Sequence, residues 1–332
     1  MAASTPYETL VNAGSSLIGA EILDDCDGAD ITAVRSFIAN NHDSLELARE
    51  ALRAKCSVPL KYELSFFSEH LDDGMPLRNL ARAFTLELRF AESQGNFTHA
   101  ANIGMDMFEL ANAIRRGGLI TDFLFSLAIS GLAIDQFRRI RLHLDYVCRR
   151  DLINALDRIE RDQEPFSDIA KRDRQWEKAV EIPDKPSDFT KQEIIDPAEC
   201  GISEDGQRAM CQWVQSFAAL PKNEQNAFHA DQDRHNIALL RMLAIDLALR
   251  SYYHAKSAYP GGLGSLIPDT LSCLPLDPFT VRPFLYRRLS ADSFTLYSTG
   301  PSKIDHGGVF GPWMMVAAGN ADLCLDAGEN TD

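Results

Sequence analysis

The chain lacks an apolar run of membrane-spanning length. Its most membrane-like stretch, Phe123 to Ile134, is far short of the roughly 20 residues a span requires, and Asp122 and Asp135 bracket it. No secretory signal is visible in the opening Met1-Ala2-Ala3-Ser4-Thr5-Pro6, which has neither a basic start nor an apolar run. Basic charge is in deficit: 33 Lys and Arg face 48 Asp and Glu, for a formal net charge of −15. Such a chain does not fit a nucleic-acid backbone, which demands a basic footprint, or a polybasic anchor on an anionic membrane. The seven cysteines include no C-x-x-C pair and follow no framework spacing, so they read mainly as small buried hydrophobes. Cys200 and Cys211 are the pair a bridge would join in an exported chain.

Catalytic signatures are missing too. There is no H-E-x-x-H, no G-x-S-x-G, no P-loop and no Cys/His nucleophile arrangement. Gly261-Gly262-Leu263-Gly264 lacks the preceding strand and following helix that a phosphate cradle uses. His229 and His235 are not four apart, and a His229–Asp233 pair on one helical face reads as a surface hydrogen bond.

What the 332 residues do contain is helical periodicity, with 45% apolar and 24% charged residues, as in a folded globular protein. Three regions are expected: a helical domain over 1–156, a charged, Pro-containing connector over 157–207, and a long helix with a small α+β module over 208–332. The fold class is mainly α. Ile31, Val34 and Ile38 predict one short helix and Leu45, Ala48 and Leu52 another, with Asp30 and Ser44 as caps and Pro59 as a stop. His70-Leu71-Asp72-Asp73-Gly74 reads as a loop before a helix opened by Pro76. Three apolar stripes follow: Leu77, Leu80, Ala81, Phe84, Leu88 and Ala91; Ile103, Met107, Leu110 and Ile114; and Ile120, Phe123, Leu127, Ile134, Ile140, Leu144 and Val147. Their breaks at Gln94-Gly95-Asn96 and Gly117-Gly118 are too short for anything but antiparallel hairpins.

Gly95-Asn96-Phe97-Thr98-His99-Ala100 resembles the turn of a tetratricopeptide repeat, though no 34-residue period recurs; an ordinary αα-hairpin is the alternative. Mixed charges at Arg158–Asp162 and Lys171–Arg174, then Pro183, Pro186 and Pro197, predict a solvated connector made of a helix and an extended loop. Met210, Val214 and Phe217 predict a helix ending at Pro221. A longer one is expected from about Asn226 to Ala258, with Ile237, Leu240, Leu243, Ala244 and Leu247 on its apolar face.

The end of the chain carries motifs in a defined order: the long helix, Tyr259-Pro260, Leu274-Pro275-Leu276-Asp277-Pro278-Phe279, Pro283-Phe284-Leu285-Tyr286-Arg287, and Phe294-Thr295-Leu296-Tyr297-Ser298-Thr299-Gly300. This order resembles the C-terminal half of the major pseudopilins of type II secretion systems. The whole chain is similar to a group of planctomycete-type proteins, without an assigned activity, that place a helical region before such a module. On the residues themselves, Pro260 stops the helix, Asp277-Pro278 makes a turn whose carboxylate takes local N–H groups, and the two alternating segments pair as a hairpin.

The resemblance implies a role in protein contact at the cell envelope, and a calcium loop after the last strand. Asp305, Asp322 and Asp326 are the metal candidates here, but Lys303 and the apolar insert Val309–Gly319 depart from the family's acidic loop. No processed apolar helix precedes the module in this sequence, so either a membrane segment lies outside it or the chain is not a filament subunit; the second, a reused fold element, is the expectation, because the long helix starts inside the chain. The expected function is therefore a non-enzymatic interaction or structural protein. The alternative is a ligand-binding protein or enzyme with a pocket between helices and module, where Tyr253, His254 and Asp277 would act.

Overall fold

The computed structural model describes residues 4–26, 28–180 and 215–326. The protein is mainly helical, with a small three-stranded antiparallel sheet near its C-terminus. Helix α1 spans Pro6–Ser15 and opens on a capping box: Thr5 Oγ1 accepts the Glu8 N–H, and the Glu8 carboxylate accepts the Thr5 N–H. A 3-10 turn at Ala20–Asp25 leads to α2 (Ile31–Asn40) and α3 (His42–Leu52). Asp30 caps α2 as expected, accepting from the Thr32 and Ala33 N–H groups. Ser44 caps nothing, because α3 begins at His42, directly after α2, and Ser44 lies within it.

Helix α4 (Leu64–Leu71) and α5 (Gly74–Ser93) narrow the loop expected over His70–Gly74 to a turn at Asp72-Asp73. His70 belongs to α4, where Phe66 and His70 point inward one turn apart. All six positions of the α5 stripe are buried, as are the four of α6 (Phe97–Arg115). Between these helices Gly95, at φ 71°, completes a paired C-terminal lock. Its N–H donates to Glu92 O, and the Asn96 N–H donates to Ala91 O. Asn96 then caps α6 through the His99 N–H, and Phe97 stacks on His143 at 4.6 Å.

The third stripe divides. Helix α7 (Ile120–Ile140) ends at Arg141, and Asp145 caps a separate α8 (Tyr146–Asp162) through the Cys148 N–H. Leu144 is buried in the turn, while Val147 is exposed. Helix α7 is long and apolar enough to cross a membrane by length and composition, yet half of that window is buried. It packs against α6 and buries Asp122, Ser126, Ser130 and Gln136 with its apolar residues, the composition of a core helix.

The expected boundary at 156/157 falls inside α8, whose Leu152, Leu156 and Ile159 are buried between charged positions. Helix α9 (Phe166–Ala179) likewise buries Ile169, Ala170 and Trp176. The connector beyond 180, with the Cys200–Cys211 pair and the Met210 and Val214 positions, lies outside the described residues.

Helix α10 (Lys222–Lys256) is the long helix, begun a turn earlier than expected. Its middle is buried on nearly every side rather than on one face, because α7, α8 and α9 contact it along with strand β2. It ends at Ser257, which adopts the left-handed conformation at φ 55° and returns its N–H to Tyr253 O, three residues before Pro260. Arg115, fully buried on α6, reaches Asp233 on α10 at 2.7 Å and lies over the Phe123 ring. The hairpin β1 (Leu285–Arg288) and β2 (Phe294–Ser298) pairs Leu285 with Tyr297 and Arg288 with Phe294. A two-residue β3 (Leu323–Cys324), absent from the sequence reading, adds to β2. Phe294 contacts Tyr259 edge-on at 4.6 Å, and Leu296 is buried. One hydrophobic cluster runs from Tyr7 on α1 through α10 to Leu325.

Candidate protein-interaction groove

The positions of α5 that face away from its buried stripe carry long side chains that line a surface channel. Two open grooves of about 470 and 540 Å3 share Cys26, Arg89 and Arg139 and run along α5. The Ala20–Asp25 turn and α2 form one bank, supplying Leu23, Asp24, Ile31 and Val34; α7 forms the other with Leu132, Asp135, Gln136, Arg138 and Arg139. Arg82 and Arg89 on α5 are seven residues apart and so share a face. Four guanidinium groups thus converge on an otherwise strongly acidic protein.

Acidic side chains stand among them. Arg82 Nη1 stands 3.4 Å from Asp24, Arg139 Nη2 is 2.5 Å from Glu92, and Arg138 pairs with Asp135. Arg89 Nη1 donates to the Cys26 carbonyl at 2.5 Å, tying α5 to the near bank. Gln136 is 4% exposed, and its Oε1 accepts no hydrogen bond. Nothing in the sequence marks this assembly as a site. Its residues come from separate elements, with Val34, Arg89 and Leu132 each more than 40 positions from the next; the local hints are the heptad spacing of Arg82 and Arg89 and the Arg138-Arg139 pair ending an apolar helix.

None of the residues expected to bind metal lines this groove. Asp322 is wholly buried beside β3, and its carboxylate accepts the His306 and Gly308 N–H groups at 2.9 to 3.2 Å, with His306 Nδ1 at 3.4 Å. Asp305 accepts from Tyr297 Oη at 3.1 Å and from the Gly307 N–H at 2.8 Å. Asp326 is paired with Arg141 at 2.6 Å. The loop thus brings Asp305 and Asp322 to neighbouring turns, while Asp326 faces the end of α7. Among the described residues, no group of three or more His, Cys, Asp or Glu side chains is placed to hold a metal ion. The apolar insert folds as a short helix, α11 (Trp313–Ala317), with Val316 buried against Gly300.

Tyr253, His254 and Asp277 do not line either groove. Tyr253 stacks on Tyr259 at 4.8 Å. Asp277 is buried, accepting from the Phe279 N–H at 2.9 Å, Thr280 Oγ1 at 3.2 Å and Ser298 Oγ at 3.0 Å. Its carboxylate closes the Asp-Pro turn and pins it to β2. His229 is not at the surface: it is buried among Phe123, Phe166, Phe217 and Phe228, with Nδ1 2.9 Å from Gln232.

A second buried polar cluster escaped the sequence reading. His70 Nε2 lies 2.6 Å from Asp122 on α7, and Nδ1 lies 3.2 Å from Asp73 and 3.5 Å from Tyr7 Oη. Phe66 stacks on the imidazole at 4.9 Å. Burial alone would lower the His70 pKa, but the hydrogen bonds and charges of Asp122 and Asp73 outweigh it and push the value up to about 9. Burial, then the same two carboxylates, raises the Tyr7 pKa far above its usual range. With Tyr7, His70 and Asp122 buried, the cluster serves as a clamp joining α1, α4 and α7. Comparison with protein-family models, curated proteins and solved structures finds no match to this chain in any of the three.

Proposed function

We propose that this chain is a non-enzymatic protein-interaction protein of the cell envelope, associated with a type II secretion-like system. Its helical region presents the groove along α5, and its C-terminal part acts as a pseudopilin-like module. The observation that carries the reading is the groove itself: an open channel on rigid helices, lined by arginines on an acidic protein. Rigid concave helical surfaces suit peptide and protein partners. The paired lock at Gly95, the Asn96 cap and the inserted Phe97 support the tetratricopeptide-like description of the α5–α6 hairpin. The ordered Tyr-Pro, Leu-Pro-x-Asp-Pro and Phe-x-Leu-Tyr-Ser motifs support the pseudopilin-like one. The enzyme or small-ligand alternative has less support, since Asp277 spends its oxygens on its own turn and on Ser298.

The test is affinity capture from solubilised envelope fractions, with the wild-type chain beside an Arg82→Glu/Arg139→Glu variant. A specific protein retained by the wild type and lost by the variant is expected. Identical sets from both would overturn the assignment of the groove as the interaction surface.

A further inference from the structure

We infer that the groove along α5 receives an acidic peptide segment of the partner, bound in an extended polyproline-type conformation with carboxylates three residues apart. The inference deepens the interaction reading above and rests on it. Charge sets the first requirement. Arg82, Arg89, Arg138 and Arg139 outnumber Asp24, Asp135 and Glu92 in the lining, on a protein of net charge −15, so the groove favours an anionic occupant against the field of the rest of the surface. Two of the pairs are of an exchangeable kind: Asp24 is 83% exposed at the side chain and Asp135 54%, each more exposed than its arginine, whereas Glu92 is more covered than Arg139. Exposed pairs of that sort hold weakly, and an incoming carboxylate replaces or bridges them while the arginines stay in place.

Gln136 sets the second requirement. Its buried Oε1 has no donor, and a buried acceptor left unmet is costly. A carboxylate or an inorganic anion brings acceptors, not the missing N–H. A peptide backbone brings N–H and C=O together, so it satisfies the amide in either orientation once the Gln136 side chain turns toward the groove that it lines. Polyproline-type backbone leaves those groups unpaired and available.

Spacing sets the third. Arg82 and Arg89 are two helical turns apart, about 10.5 Å along α5. In polyproline-type chain every third side chain shares a face at about 9.3 Å, close enough for long side chains to match. The grooves' open form and volumes of about 470 and 540 Å3 let a chain enter and leave rather than enclosing a small molecule.

The test uses the full chain and fluorescence anisotropy with a labelled peptide of about nine residues, Glu at every third position and Pro or Gly between. Its Gln counterpart is the control, and citrate and inorganic phosphate are competitors. The acidic peptide is expected to bind on the order of tenfold more tightly than the Gln peptide, with affinity falling as salt rises. Arg82→Glu and Arg139→Glu each remove most of that difference, with melting curves unchanged. Gln136→Leu weakens binding severalfold and leaves the salt dependence intact.

Equal binding of the two peptides, indifference to Arg82→Glu, or displacement by citrate at matched charge overturns the inference, the last by making the groove a small-anion site. If the peptide fails while capture of an envelope protein still depends on Arg82 and Arg139, the acidic-peptide inference falls alone. If both fail, the interaction reading falls with it.

Discussion

Raising the pH should loosen the clamp between α1, α4 and α7 by deprotonating His70. In the folded chain the imidazole is held by Asp122 at 2.6 Å and Asp73 at 3.2 Å, and its pKa is pushed from 6.5 up to about 9. A pKa raised on folding contributes stability that is fully present below pH 6.5 and lost as pH rises through about 9. At ~1.36 kcal/mol per pH unit, that interval corresponds to about 3 kcal/mol. The side chain is 6% exposed, so solvent screening reduces this little. Urea unfolding of the wild type and of His70→Gln at pH 6 and pH 10 measures it. Gln fills the site with an amide that does not titrate, and other groups titrating in the interval largely cancel between the two proteins. The wild type is expected to lose up to about 3 kcal/mol more than the variant over this range. Parallel losses would refute the argument and show that His70 is held in its neutral form throughout.

Three further outcomes follow from the packing. Asp233→Ala takes the 2.7 Å carboxylate partner from the buried Arg115 guanidinium, whose Nε also donates to Glu164 O at 2.6 Å, and should cost about 3–5 kcal/mol in chemical denaturation; a loss below about 1 kcal/mol would mean that water or Glu164 O suffices. Gly14→Ala places a Cβ 2.1 Å from the Pro76 carbonyl, where α1 meets the first turn of α5. Forcing these backbones apart should cost about 1–3 kcal/mol, and an unchanged melting temperature would contradict that contact. Calcium and chelator should give coincident melts, because Asp322 already accepts two backbone N–H groups and Asp326 pairs with Arg141. A calcium-dependent rise that disappears in Asp305→Ala would instead establish an ion site in that loop.

The stripes of α5 and α6 were legible because their apolar residues recur at helical spacing with clean breaks at Gly95 and Gly117. The Asp277 turn and the β1–β2 hairpin were legible from local chemistry alone. Helix α4 was hidden because His70-Leu71-Asp72-Asp73-Gly74 has the composition of a loop, although Phe66 and His70 stand one turn apart. The core faces of α8 and α9 were masked by dense charge around Leu152, Leu156, Ile169 and Trp176. Tertiary pairing explains both: Asp122 on α7 gives His70 its partner, and α6 and α10 cover α8. The groove was least legible of all, since Arg82, Arg89, Gln136 and Arg139 become neighbours only when α5 and α7 pack beside the Ala20–Asp25 turn.

A photo-crosslinking residue placed at Ile31, on the exposed rim of the groove, tests the central claim most directly. Val281, exposed on the C-terminal module, is the control position. Irradiation in the cells that make the protein should give a discrete protein adduct from position 31 that disappears with Arg82→Glu/Arg139→Glu. No adduct from position 31, or one indifferent to the charge reversal, would contradict a protein-interaction role for this groove.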